Sequence, residues 1–138
     1  LVGSEMCIRD RYDGVYLNRF LSGTFTPGSV YKTVTLAAAI ENIPDLYDRT
    51  WTCTGSTAVG DGTVTCPYAH GEQDIYAALA NSCNGVFALL ADELGEDVLA
   101  RYTEKAGLTA SYSVNGIRTA AGLVVYALAA GYVDPDGM

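Results

Sequence analysis

Residues 50–68 read TWTCTGSTAVGDGTVTCPY, with β-branched residues on both sides of a Gly-Asp-Gly turn signal. Such a pattern predicts a hairpin over about Thr50 to Pro67. The segments on either side carry helical spacing instead, so the chain must accommodate both periods within one short stretch. Ahead of the hairpin, PGSVYKTVTLAAAIEN predicts a helix starting around Pro27 to Ser29 and running to about Asn42, with Pro44 closing it. After the hairpin, DIYAALA predicts a short helix ending near Asn81. SCNGVFALLADELG then begins another, with Phe87, Leu90, Ala91 and Leu94 on one face and Gly95 as its C-terminal cap. A third, EDVLARYTEKAGL, spaces Val98, Leu99, Tyr102 and Ala106 for one face. TASYSVNGIRTAAG is a turn-rich connection, LVVYALAAG suits a helix or a buried strand, and Tyr12 to Thr26 form a loop-rich lead-in.

At 138 residues with 49% apolar content, the chain can build the core of one domain. A net charge of −8 argues against a nucleic-acid backbone or an anionic membrane surface as partner. No apolar run reaches the roughly 20 residues that a membrane-spanning helix needs. The opening LVGSEMCIRDR lacks an amphipathic period, and EMCIRDR reads like a translated transposase adapter from sequencing-library preparation. Residues 1–11 are therefore expected to be a scar, and residues 12–138 an internal piece of a longer gene.

With Cys7 in that scar, Cys53, Cys66 and Cys83 remain. Cys53 and Cys66, on the facing arms of the expected hairpin, could form a disulfide in an oxidising compartment or pack as thiols in a reducing one. Metal ranks below both, because zinc would want two more ligands at close spacing and only His70 offers itself. Cys83 has no base beside it and reads as a buried small residue. His70, in the polar YAHGEQ, reads as a surface or turn-stabilising residue. The acidic ADELGED reads as a solvated face, and Tyr31 as packing.

Two helix starts carry the chemistry. In PGSVYK, Ser29 sits in the first turn, where free backbone N–H groups favour a developing anion. Lys32, one of only two lysines, lies three residues on and so shares its face. A serine hydroxyl becomes nucleophilic when a base takes its proton, and a lysine can be that base if burial lowers its pKa. The same residues also read as a helix cap followed by a lysine with a buried stem. In ANSCNG, Ser82 and Asn84 stand one residue apart at a second helix start. They could be N-caps, or a hydroxyl that relays protons and an amide that orients the lysine.

PGSVYKTVTLAAAIEN resembles the first motif, Ser-x-x-Lys, of the transpeptidase domain of penicillin-binding proteins, and ALANSCNGVFALLADELG resembles the second, Ser-x-Asn. The cysteine-flanked hairpin, the His-Gly that follows it, YTEKAGL and NGIRTAAG fit the same pattern, so the resemblance covers about Leu17 to Gly122. It implies part of an α+β, β-lactamase/transpeptidase-like fold: mainly the helical subdomain plus a β-hairpin, with most of the central antiparallel sheet missing. It implies Ser29 as the acylated nucleophile, Lys32 as its general base, Ser82 as the proton relay and Asn84 as a holder of Lys32 and the substrate amide. No cofactor is called for. The partners it implies are peptidoglycan stem peptides ending in D-Ala–D-Ala, β-lactams as covalent inhibitors and unidentified cell-wall synthesis partners. The location it implies is the outer face of the bacterial membrane.

The family's third motif, Lys-Ser/Thr-Gly, has no counterpart here, since Lys105 stands in a helix pattern. The expectation is that the intact gene product is a transpeptidase, while this piece alone is inactive and poorly stable. The alternatives are a serine β-lactamase, a β-lactam-sensing domain and, from another class, a non-catalytic helical interaction module in which both motifs are caps.

Overall fold

The computed structural model of the chain describes residues 19–122, with the side chains of Arg19 and Phe20 left aside. LVVYALAAG and the expected scar lie outside that range. A short helix α1, Arg19–Ser22, leads to a 3₁₀ turn, Gly28–Tyr31, that runs straight into α2, Lys32–Asn42. After a second 3₁₀ turn at Leu46–Asp48 come four short strands: β1 Trp51–Cys53, β2 Ser56–Val59, β3 Gly62–Thr65 and β4 Gly71–Gln73. Helix α3, Ile75–Ala80, is followed by the long α4, Asn84–Lys105, and by a small ribbon of β5 Ser113–Val114 and β6 Ile117–Arg118. The described residues thus mix helices with antiparallel two-stranded ladders, and none of their sheets is larger or closed. This is a partial α+β fold.

The core lies between α2 and α4. Thr35, Ala38 and Ala39 recur at helical spacing on α2 and are buried, and Val86, Phe87, Leu90, Ala91 and Leu94 do the same on α4. The alanines leave room for the larger side chains opposite, which is how two helices approach closely without a void. Leu46, Ile75 and Ala78 close the cluster from the connecting segments. Gly95, with φ 76° and ψ 167°, breaks α4 where the sequence suggests a cap, because only glycine takes that backbone at no steric cost. Beyond it Leu99 and Tyr102 are buried, whereas Ala106, expected on the same face, caps the helix end and is exposed. Asn115 and Gly116, with φ of 51° and 79°, form the turn of the β5–β6 ribbon, where paired positive φ favours this dipeptide.

The hairpin differs from expectation in its extent. β2 and β3 pair from Ser56↔Thr65 to Val59↔Gly62, but β1 pairs with β4 instead, from Trp51↔Gln73 to Cys53↔Gly71. Gly55, at φ 94°, turns the chain out of one ladder and into the other, and its carbonyl accepts from the Cys66 N–H at 3.0 Å. Local alternation can locate a strand but does not choose its partner, and here β1 gains a mate that lies beyond the hairpin.

Candidate functional site

Gly28 has φ 53°, which lets the chain turn sharply after Pro27 into the 3₁₀ turn that carries Ser29. Ser29 is exposed, and Lys32, one turn later, is half-buried with its Nζ 3.5 Å from Ser29 Oγ. Neither 3₁₀ turn nor α2 is capped by a side chain, so Ser29 is not a cap. The Tyr31 hydroxyl bonds Thr103 Oγ1 at 2.7 Å, which ties this turn to the far half of α4.

Ser82 and Asn84 arrive from the junction of α3 and α4. The Ser82 N–H donates to the Leu79 carbonyl and the Cys83 N–H to the Ala78 carbonyl, each at 2.9 Å. This is a Schellman ending for α3, with Ser82 in the left-handed position at φ 50°. The N-cap of α4 is Cys83, which makes no side-chain cap bond. Two readings are open at this helix start, caps or a relay hydroxyl with an orienting amide. Neither side chain serves as the N-cap, and the α3 ending fixes the Ser82 backbone and leaves its side chain free for other partners.

Those partners converge on Lys32. Its Nζ donates to the Ser82 carbonyl at 2.6 Å, to Asn84 Oδ1 at 2.7 Å and to Ser82 Oγ at 2.9 Å, and lies 5.7 Å from the centre of the Phe87 ring. Asn84 Nδ2 donates in turn to the Thr65 carbonyl at 2.9 Å, so the end of β3 sets the orientation of the amide. All four residues singled out from the sequence therefore meet at one point. An ammonium has three protons, and three close acceptors surround it. A neutral amine has two N–H bonds and a lone pair. The Ser82 carbonyl and Asn84 Oδ1 can only accept, so they would take both N–H bonds and leave the lone pair facing the hydroxyls of Ser29 and Ser82. Burial pushes the Lys32 pKa down, against an opposing pull from Cys66 and Cys83. The arrangement can thus take a proton from one hydroxyl and return one through the other.

Two contributors carry weaker signals. The Thr65 carbonyl is backbone and has no signature in the sequence. Gly85 sits where α4 abuts β2, and a Cβ there would run into the Thr57 side chain. A glycine in the first turn of a helix, ahead of an apolar run, is the signal that could have marked this close approach.

Ser82 is a non-glycine residue in left-handed backbone, which costs about 1–2 kcal/mol. Replacing Ser82 with glycine should therefore leave the melting temperature unchanged or slightly raised, since relief of that strain offsets glycine's greater freedom in the unfolded chain. If Ser82 relays protons, the same variant should slow acylation by a β-lactam at least about 10-fold. Calorimetry alongside stopped-flow acylation would separate the two effects.

Cysteines and the histidine gather next to this point. The ligand atoms of Cys53, Cys66, His70 and Cys83 all lie within 4.8 Å of one another. Cys66 Sγ and Cys83 Sγ are 3.8 Å apart, His70 Nδ1 is 3.3 Å from Cys53 Sγ, and all three cysteines are free thiols. His70 is half-buried against Tyr68 and this cluster, not a simple surface turn residue. The sequence reading counted His70 as the only further ligand for a metal. Cys83 is indeed buried, but its sulfur completes the set of four.

The profile of the family described as "Penicillin binding protein transpeptidase domain" matches residues 5–130. Stage V sporulation protein D of Bacillus subtilis (strain 168) is 34% identical over 92 residues, which cover 61% of this chain and 14% of that protein. The chain thus spans only a small part of the length of that curated relative.

Proposed function

Since the chain belongs to the penicillin-binding protein transpeptidase domain family, we propose that it carries the acylation half-site of a peptidoglycan D,D-transpeptidase. Ser29 is the nucleophile, Lys32 its general base, Ser82 the relay and Asn84 the group that holds the lysine. The observation that carries this reading is the seating of Lys32 Nζ among Ser82 and Asn84, with Ser29 Oγ at 3.5 Å. A lysine with a merely buried stem would have no need of three converging acceptors. The cap reading is also disfavoured, because none of the three polar side chains caps a helix.

In this mechanism the Ser29 O–H proton moves to the Lys32 lone pair as Oγ attacks the carbonyl of the penultimate D-alanine. The backbone N–H of Ser29 itself, at the head of the 3₁₀ turn, would be one donor to the oxyanion that forms. Collapse breaks the peptide bond, and the departing D-alanine amine takes a proton from Lys32 through the Ser82 hydroxyl. An amine from a neighbouring strand then attacks the Ser29 ester, gives up a proton by the reverse route and forms the cross-link. A β-lactam presents the same amide to Ser29 and acylates it with ring opening. The substrate calls for a location on the outer face of the bacterial membrane. No helix among the described residues is long and apolar enough to cross a membrane.

The test is to treat the natural-length protein carrying this sequence with a labelled penicillin and to locate the adduct by peptide mapping. A covalent adduct on Ser29 is the expected result. An adduct on another residue, or none at saturating penicillin, would overturn the reading.

A further inference from the structure

We propose that Cys53, Cys66, His70 and Cys83 form a closed tetrahedral zinc centre that pins the Ser82–Asn84 corner to the strands. Four ligands come from four separate segments: the end of β1, the residue after β3, the loop before β4 and the N-cap of α4. Their donor atoms already lie within 4.8 Å of one another. Zinc–sulfur bonds of about 2.3 Å in a tetrahedron put sulfurs about 3.8 Å apart, and a zinc–nitrogen bond of about 2.0 Å puts sulfur and nitrogen about 3.5 Å apart. The Cys66–Cys83 separation of 3.8 Å and the Cys53–His70 separation of 3.3 Å sit close to those edges.

A disulfide would need sulfurs about 2.05 Å apart and would leave one thiol and an imidazole in the cluster with no role. Plain thiol packing does not explain why His70 Nδ1 approaches the Cys53 sulfur to 3.3 Å. Gln73 adds an independent sign. It is 4% exposed, its Nε2 has no hydrogen-bond partner, and its side chain lies beside Cys83. A buried, unsatisfied N–H donor next to a sulfur is the kind of outer support that a metal-bound thiolate uses.

Three thiolates and one imidazole are a zinc donor set, and four protein ligands leave no position open for substrate. Binding releases the three thiol protons to solvent and changes no oxidation state. The centre is therefore structural. Cys83 lies between Ser82 and Asn84, so fixing its sulfur fixes the two flanking residues that hold Lys32. The two-stranded ladders β1–β4 and β2–β3 are too small to hold this corner rigidly by themselves.

The experiment uses the natural-length protein, purified under reducing conditions, with zinc counted by elemental mass spectrometry. One zinc per chain is expected, and it should persist in Ser29→Ala. Cobalt added to the chelator-stripped protein should give the ligand-field and thiolate charge-transfer bands of a tetrahedral site. Gln73→Leu should weaken zinc binding about 10–100-fold, and Cys53→Ala or His70→Ala should abolish stoichiometric binding. In the unsubstituted protein, which needs no variant to fold, zinc should protect Cys53, Cys66 and Cys83 from alkylation, and a chelator should expose them. Less than about one zinc per ten chains, octahedral cobalt, unprotected thiols or a disulfide within the trio under reductant would overturn the proposal. None of these readouts involves a β-lactam, so the transpeptidase reading can fail while the zinc centre stands, and the reverse.

Discussion

Replacing Ser29 with alanine should abolish the penicillin adduct altogether, because no other group in the site stands where Ser29 Oγ does. Ser29 is exposed and caps no helix, and among the described residues its side chain meets the Lys32 amine at 3.5 Å. The substitution therefore removes little packing, and the melting temperature should stay within the range of ordinary surface changes, about 0.5 kcal/mol. Loss of the adduct with retained folding identifies a nucleophile. A Ser29→Ala protein that still becomes acylated at this site would show that another residue attacks. Intact-protein mass spectrometry, run beside a thermal melt, decides between them.

Replacing Lys32 with methionine should slow acylation of Ser29 by about 10²- to 10⁴-fold, the usual worth of a positioned general base. Methionine keeps the length of the stem but leaves the Ser82 carbonyl and Asn84 Oδ1 without their donor, so some loss of stability is also expected. Lys32→Arg separates the two effects. It retains a cation and its donors while remaining protonated at any accessible pH, so it should recover folding but not rate. The pH profile adds an independent check. Acylation needs the neutral amine, and burial holds the Lys32 pKa below its ordinary value. The rate should therefore rise with pH through that lowered pKa and flatten above it, and this rise should vanish in Lys32→Met. Stability follows the same sign. Between the folded and unfolded pKa values the unfolded chain binds the extra proton, so stability should rise with pH across that window. A pH-independent wild-type rate, or a Lys32→Arg protein that acylates at full speed, would remove Lys32 from the role of base.

Much of this was legible along the chain. The spacing of Phe87, Leu90, Ala91 and Leu94 forecasts the buried face of α4, and Gly95 interrupts that helix as its position suggests. Pro27-Gly28 and the Ser29–Lys32 spacing locate the first polar helix start, and Ser82 and Asn84 the second. Where local preference and tertiary structure part company, the physical origin is the same. Ser82 looks like a cap by propensity, but the ending of α3 claims its backbone and Cys83 takes the cap position. Cys53 and Cys66 look like partners across one hairpin, but β1 leaves that ladder for β4. Local preference is worth about 1 kcal/mol per position, and packing outweighs it.

The sequence by itself determined which residues could do chemistry and on which helix faces they sit, because helical spacing and turn residues act within a few positions of the chain. Only the tertiary structure decided that Lys32 meets Ser82 and Asn84, 50 and 52 residues away, and that Cys83 joins Cys53, Cys66 and His70. Those meetings depend on α2 packing its alanines against α4 and on the strands folding over the start of that helix. Contacts of that kind come from burying a shared apolar surface, and no local pattern in the chain records which surfaces will be shared.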